Sequence, residues 1–493
     1  MARTKATLGQ GVRLTDHLGA SLLARVYPME TVVELLEKHG CNSRRVRSFP
    51  ASTAVYFSMA LSLYPEAAYE DVFAAMTQGL SWMQGVATSA TVNKASITEA
   101  RAKIGHAVLR ELQVQCCPAL AVMEQHPDCF YAGLRLVAMD GGSFDVPDER
   151  ANADTFGYPE GGRGPTGYPK AQCAVLVECG THAVLAGSIG AYRDSEWSLC
   201  QSLLPTLNST MLCMADRGFN GFEHWQQASR TGAQLLWRVA KNRNLPVEKV
   251  LADGSFLSTI YRREKKSERA LEAIEIRVIE YALPNMPQSE PRYRLMTTML
   301  DPAVAPAPEL AALYHARWHV ESVFDELKTH LRQSRRVLRS KTPDLVRQEF
   351  YGWMLAHYAV RWLMHNAARQ GRKSPLDLSF TENVHLFRRA QPQSGAFPPQ
   401  RDRENENSGL HNYCKAPAHS NARKVASAEI QGWLSEEAQP LPAIGVGKNC
   451  INALTWLSCW SRQNLCRLRG ARRKISNRTV FWHWGSCSSR GSS

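Results

Sequence analysis

Leu134-Arg-Leu-Val-Ala-Met-Asp140 and Met211-Leu-Cys-Met-Ala215-Asp216 decide the fold. Each is a short apolar run of strand length, and each stops at an aspartate with glycine within two residues (Gly141, Gly142 and Gly218). Apolar runs bounded by turn-forming residues read as buried strands. Glycine at such points permits a sharp turn and close approach by a substrate backbone. Between the two runs, residues 171–178 and 182–189 read as two more strands, joined as a hairpin through Cys179-Gly180-Thr181, and residues 197–204 as a helix. Residues 222–229 follow as a helix and 234–239, including Arg238, as another strand.

Three strands, helix, strand, helix, strand and then a long helix is the order of an RNase H-like α/β core, a mixed sheet flanked by helices. In that order the first and fourth strands are neighbours. Asp140 and Asp216 then converge at strand C-termini, where open α/β sheets gather their ligands.

The long helix is expected over residues 308–332. Its centre is Tyr314-His-Ala-Arg317-Trp-His-Val-Glu321-Ser-Val-Phe-Asp-Glu-Leu-Lys328. At roughly 100° per residue, Tyr314, Arg317, Glu321 and Lys328 fall at about 0°, 300°, 340° and 320°, one polar stripe beside the apolar Val320, Phe324, Leu327 and Leu331. Glu326 falls at about 120°, away from the stripe, and is disfavoured; Asp325, near 20°, is a minor contender. Asp145 and Asp148 read as turn formers. Asp140, Asp216 and Glu321 form a set of oxygen donors without His or Cys, which suits Mg²⁺ or Mn²⁺. Two such ions about 3.5–4 Å apart can activate a water or 3′-hydroxyl and stabilise a leaving oxygen in phosphoryl transfer. Each piece alone is commonplace: an Asp-Gly pair often marks only a turn, and an Arg four residues before a Glu is a frequent helical pair. Their combination in this strand order is specific.

The remaining chain supports a DNA partner. The 493 residues carry a net charge of +14, and 44% are hydrophobic, enough for packed domains. No signal-peptide pattern or long apolar span is present, and thirteen cysteines without CxxC spacing fit free thiols in a cytoplasmic protein that associates with the nucleoid when bound to DNA. The expected domains are a helical DNA-binding region at 1–125, the first part of the core at 126–241, a β-rich insertion at 242–306, the second part of the core with the catalytic helix at 307–395, and an atypical basic tail at 396–493. Within the first, residues 52–63, 66–80 and 96–115 read as helices, with Arg44, Arg45 and Arg47 ahead of them. The Gly/Pro-rich 163–168 loop reads only as a loop. Residues 401–493 hold fourteen Lys or Arg against six Asp or Glu, and five of the twelve tryptophans. This tail reads as a frame-shifted or truncated end, or else as a loosely folded basic extension that helps hold DNA.

Asp140, Asp216 and Glu321 resemble the acidic triad of DDE transposases. Tyr314-x₂-Arg317-x₃-Glu321-x₆-Lys328 resembles the Y-R-E-K signature of the insertion-sequence-four family of bacterial cut-and-paste transposases. Glu321 follows Asp216 by 105 positions, in keeping with the strand-rich insertion this family carries before its catalytic Glu. The resemblance covers about residues 14–395. It implies Mg²⁺-dependent cleavage and strand transfer at the inverted-repeat ends of an insertion sequence, through a hairpin formed when a freed 3′-hydroxyl attacks the opposite strand. It implies two Mg²⁺ on the triad, with Mn²⁺ as a substitute. Arg317 and Lys328 would contact phosphates, and Tyr314 a phosphate or flipped base near the scissile bond. Tyr293 would receive the flipped base and Arg238 clamp the same region. Double-stranded DNA at element ends and in the target, and a second copy of the chain in a homodimer, are the implied partners; no membrane is. The alternatives are an RNase H-fold nuclease or resolvase, and a catalytically decayed copy that only occupies element ends.

Overall fold

The computed structural model describes residues 22–43, 49–84, 92–159, 167–219, 221–240, 243–263, 270–282, 292–331 and 337–390. Arg44, Arg45 and Arg47, most of the 163–168 loop and the whole basic tail lie outside them. Ten strands build one sheet: β1 (Phe130–Tyr131), β2 (Leu134–Asp145), β3 (Lys170–Glu178), β4 (Val184–Ala191), β5 (Met211–Ala215), β6 (Gln234–Arg238), β7 (Lys249–Val250), β8 (Phe256–Arg263), β9 (Ala270–Tyr281) and β10 (Tyr293–Thr297). Their order is β4-β3-β2-β5-β6-β10-β9-β8-β7, with β1 paired to β2 off this path. Among the described strands the β2–β5 and β5–β6 pairings are the parallel ones. β5 is buried at all five positions. That accounts for its unbroken apolar sequence, since a parallel strand covered on both faces has no polar side to present.

The core is an RNase H-like mixed α/β fold. β10 pairs antiparallel with β6, Leu295 opposite Arg238, so the strands expected as an insertion continue the core sheet. Helices flank the sheet: α1 (Leu22–Val26), α2 (Met29–Lys38), α3 (Ala51–Leu63), α4 (Tyr69–Gln84), α5 (Lys94–Ile104) and α6 (Ala107–Cys116) before it, then α7 (Arg150–Phe156), α8 (Glu196–Gln201) and α9 (Phe222–Ser229) within it. After it come α10 (Ala307–Tyr314), α11 (Trp318–Asp325), α12 (Pro343–Gln370) and α13 (Phe380–Ala390).

Two expected helices are divided. The 96–115 segment breaks at Gly105, whose φ of +63° suits glycine and ends α5. Gln348 of α12 donates to the Gly105 and Arg101 carbonyls at 2.7 and 2.8 Å, which satisfies the ends left by the break. Arg101 itself is fully buried and donates to Gln348, Tyr69 and Ser340, so the N-terminal helices are tied to α12 by a saturated polar cluster. The expected 308–332 helix is interrupted by a 3-10 turn at His315–Arg317, and the π-helical turn Glu326–Leu331 follows α11. A 3-10 turn overwinds the chain and a π turn underwinds it. The departures are opposite in sense, and Lys328 stays beside Phe324.

α12 crosses α3 at Gly352. A Cβ there would lie 2.5 Å from the Ser58 carbonyl oxygen, a backbone atom with no rotamer to escape into. Gly352→Ala gains about 1 kcal/mol of helix propensity but overpacks this crossing at a cost of about 1–3 kcal/mol. The expected result is net destabilisation, read as a lower urea midpoint with an unchanged slope; a raised midpoint would show that the two helices separate freely.

Candidate active site

The β2–β5 register creates the site. Its last parallel pair is Met139 opposite Ala215, so Asp140 and Asp216 leave the pairing side by side. β2 itself runs on to Asp145, paired with β3, so Asp140 stands within a strand and not at its end as expected. The Gly141 amide donates to Asp140 Oδ1 at 2.8 Å and the Gly218 amide to Asp216 Oδ1 at 2.7 Å, fixing both carboxylates locally. Tyr314, the last residue of α10, is 6% exposed and donates to the Ala215 carbonyl at 3.2 Å. It braces the residue that precedes Asp216.

Arg317 lies at the centre. Nη1 donates to Asp140 Oδ2 at 3.1 Å and Nη2 to Glu321 Oε1 at 2.6 Å, while Nε is buried without a partner. One guanidinium thus joins two of the three expected acids. Burial opposes its charge, but Tyr314, Asp140 and Glu321 together push its pKa up. Glu321 is exposed and Asp216 partly so. Lys328 Nζ sits 4.8 Å from the centre of the Phe324 ring, and a Cβ on Gly142 would be 3.2 Å from that nitrogen. The Gly142 surface is therefore filled by the Phe324 and Lys328 side chains.

At Gly141 the close neighbour is Glu196, an acid that the sequence reading passed over. Its carboxyl carbon would lie 2.7 Å from a Cβ on Gly141, and its Oε2 3.5 Å from a Cβ on Gly218. The glycines after each aspartate thus leave space for protein side chains, not only for a substrate. Ser195-Glu196 looks like an ordinary helix start, and Ser195 does cap α8 by accepting from the Ser198 amide. The available signal was positional: the helix between the third and fourth core strands begins beside both glycine-flanked acids.

Burial, with neighbouring negative charge added to it, shows in the protonation of Asp140. Burial, Asp216 and Glu196 outweigh Arg317 and the Gly141 amide, and its pKa is raised to about 7. Burial and Asp216 likewise raise Glu196.

Arg238 and Tyr293 meet one another. The guanidinium lies 4.7 Å from the Tyr293 ring centre, and Tyr293 stacks on Tyr281 with centroids 5.2 Å apart. Tyr281 in turn meets His315 edge-on at 6.3 Å, next in sequence to Tyr314. The competing acids are engaged elsewhere. Asp325 pairs with His330 at 3.2 Å, Asp145 with Lys170 at 3.4 Å, and Asp148 accepts from Tyr158 at 2.6 Å. Glu326 is buried and accepts from His182 at 2.8 Å, His357 at 3.0 Å and Arg361 Nε at 3.0 Å.

The chemistry of the donors suits a hard divalent cation, because every candidate is a carboxylate. The rise of Asp140 to about 7 comes first from burial, with Asp216 and Glu196 adding to it. Among the described residues no three such groups are gathered tightly enough to hold one ion, and Arg317 spans Asp140 and Glu321.

A carboxylate set on adjacent parallel strands and a crossing helix defines a DDE-type phosphoryl-transfer domain, and the sequence comparisons agree. Residues 131–359 match the model "Transposase DDE domain" and residues 17–113 the model "Insertion element 4 transposase N-terminal", together more than half of the chain. The chain belongs to the insertion-element-4 family of DDE transposases, enzymes of DNA cleavage and strand transfer whose DDE domain uses divalent metal ions. It is 26% identical over 314 residues to Escherichia coli (strain K12) "Transposase InsG for insertion sequence element IS4", covering 62% of this chain and 70% of that one. It is 25% identical over 185 residues to "Putative transposase InsZ" of the same organism, covering 37% of this chain and 62% of that one. A solved piggyBac transposase synaptic complex with hairpin DNA aligns over 92% of this chain and 89% of that one, at 10% identity and a TM-score of 0.38, a likeness too slight to carry any conclusion.

The raised Asp140 pKa makes a stability prediction for metal-free protein. The folded state binds a proton here up to pH about 7, whereas the unfolded chain releases it near the ordinary value of 3.8. Stability from this group therefore falls as pH rises from about 4 to 7. Asp140→Asn keeps an oxygen for Arg317 and removes the charge. In EDTA it is expected to be the more stable protein at pH 8, by a few kcal/mol, with the gap closing toward pH 4. Denaturant midpoints across that range measure it; a variant less stable than wild type at pH 8 would show that the Arg317 pairing outweighs the crowding.

Proposed function

We propose that this transposase cuts and joins DNA at the inverted-repeat ends of its own element, with Asp140, Asp216 and Glu321 as the ligands of two Mg²⁺ ions for which Mn²⁺ can substitute. The observation that carries the reading is the register step that leaves Asp140 and Asp216 adjacent, with Arg317 linking Asp140 to Glu321. Bound divalent ions would supply a polarised oxygen nucleophile and charge stabilisation at the leaving oxygen. The chain's own groups supply position. Tyr314 steadies the end of β5 through the Ala215 carbonyl. Arg317 has one buried nitrogen still without a partner, a donor for a scissile-strand phosphate oxygen. Lys328, held over Phe324, adds a point charge for a second phosphate.

The sequence of steps follows from one site acting twice. Water first cleaves one phosphodiester and frees a 3′-hydroxyl at the element end; that hydroxyl then attacks the opposite-strand phosphate, displaces the 3′-oxygen of the flanking DNA and closes a hairpin. Hairpin formation requires a base to leave the stack at a cost of a few kcal/mol. The stacked Tyr281–Tyr293 pair with Arg238 above it is a surface on which such a base can rest. Two ends are handled together, so the acting species is a homodimer on DNA, with the N-terminal helical region of residues 1–125 contributing to binding.

Asp140→Ala, Asp216→Ala and Glu321→Ala are each expected to lower end nicking by at least about 10³-fold, a transition-state loss of roughly 4 kcal/mol, while end binding in gel shift persists. Nicking retained by any one of them removes that residue from the triad. End binding by the wild-type chain without Mg²⁺- or Mn²⁺-dependent nicking would favour an end-occupying, non-catalytic protein. Cleavage of junctions lacking inverted repeats would favour a structure-selective nuclease. Tyr293→Ala is expected to leave first-strand nicking within about 3-fold and to depress hairpin yield about 10-fold or more, consistent with a stacking contribution of about 1–3 kcal/mol per base; equal loss of both steps would show that Tyr293 supports the fold and not the flipped base.

A further inference from the structure

We infer that Glu196 is a fourth carboxylate ligand of the divalent-cation site, acting beside Asp216. The inference rests on the metal-dependent reading above and names a residue outside the triad.

Three observations carry it. The Glu196 carboxylate touches the backbone directly after Asp140: a Cβ on Gly141 would meet its carboxyl carbon at 2.7 Å and its Oε1 at 2.8 Å. The same carboxylate borders the backbone after Asp216, since Asp216 Oδ1 and Glu196 Oε2 lie 3.0 and 3.5 Å from one point, the Cβ position of Gly218. Glycine at 141 thus leaves room for Glu196 to come between the two aspartate-bearing segments. The third observation is a missing counter-charge. Arg317 occupies Asp140 and Glu321, whereas among the described residues no cation pairs with either Asp216 or Glu196. Among the described residues the side-chain donor to Glu196 is the neutral amide of Gln172, at 3.4 Å. Two half-buried carboxylates brought together without a cation repel one another, and a divalent ion between them removes that cost.

An ordinary role is also available to Glu196, because an acid in the first turn of a helix is favoured by the helix dipole. The two roles differ in what a neutral isostere does. Glu196→Gln keeps the volume against Gly141 and loses only the charge, so a packing role is preserved and a dipole role costs no more than a small loss of stability, with no effect on Mn²⁺ affinity, while a ligand role is lost.

The experiment is Mn²⁺ titration of the full-length protein, followed by the electron paramagnetic resonance signal of free Mn²⁺, on wild type, Glu196→Gln, Glu196→Asp and Asp216→Asn, with thermal unfolding in EDTA as the control for folding. The expected result is Mn²⁺ affinity at least 10-fold weaker in Glu196→Gln, partial recovery in Glu196→Asp, a loss in Asp216→Asn, and an EDTA unfolding midpoint for Glu196→Gln equal to or above wild type. Nicking by Glu196→Gln should then be restored in part by raising Mn²⁺. Wild-type Mn²⁺ affinity in Glu196→Gln, with Asp216→Asn impaired, would overturn the role of Glu196 and leave the triad standing. No Mn²⁺ binding by wild type, or equal binding by all four proteins, would overturn both readings. A Glu196→Gln protein whose midpoint falls and whose Mn²⁺ affinity is not recovered by Glu196→Asp would assign the residue to the fold, against the inference.

Discussion

The buried carboxylate of Glu326 is the interaction on which the rest of the arrangement depends. It accepts from His182 in the β3–β4 connection and from His357 and Arg361 of α12, so one side chain joins the end of α11 to the sheet and to α12. Burial alone would raise its pKa, but Arg361, His182 and His357 hold it well below the usual carboxylate range. His357 has its pKa lowered by burial and its Nδ1 is without a partner, which fits a neutral ring that donates through Nε2. An ion-paired group of this kind adds little net stability compared with an apolar core, yet removing one member strands the others at about 3–5 kcal/mol. Its value lies in specifying geometry. Glu326 opens the π turn, five residues beyond Glu321 and two before Lys328, and its anchorage holds the turn that carries Lys328 to Gly142.

With that anchor in place, the electrostatics of the opposite helix face become intelligible. His319 reaches His182 at 2.8 Å on the buried side, while Arg317, two residues earlier, reaches Asp140. The helix is pinned from both sides, so the Arg317 clamp need not hold the helix and is available to compensate charge. It does so incompletely. Burial still leaves Asp140 pushed up to about 7, a cost to the ionised folded state that Arg317 does not remove. Arg317 satisfies two acids in the same place where cations and phosphates would compete for them.

The strands and acids of this site were legible because their signals are local. β5 and α9 have the boundaries that their apolar runs indicate, and Met139 opposite Ala215 follows once the strand order is known. The helical stripe also chose Glu321 over Glu326 by angle alone, and Glu326 indeed points into the core. What sequence periodicity lacked is everything set by a distant partner. The π turn depends on Arg361 and two histidines from other elements. The end of α5 depends on Gly105 and Gln348. Tyr314, on the polar stripe by angle, is buried because the end of β5 lies above it. Glu196 was invisible for the same reason: nothing in Ser195-Glu196 announces the Gly141 and Gly218 backbones it touches.

Sheet continuity brings the strands between Asp216 and α10 against the core. They could have formed a separate lobe, but β10 pairs with β6 at the edge of the core, so Tyr293 and Arg238 come together through neighbouring registers of one sheet. β9 brings Tyr281 under Tyr293 through their direct opposition in the ladder. Tyr281 meets His315, and Tyr314 precedes it, so the aromatic surface and the acid cluster share the short turn between α10 and α11. Burial, with Arg317 acting in the same direction, lowers the His315 pKa to about 4, so at neutral pH this imidazole adds no charge between the two surfaces. A 3-10 turn at that point, tighter than the helix on either side, is the joint that lets one helix address the acids through Arg317 and the aromatic surface through His315.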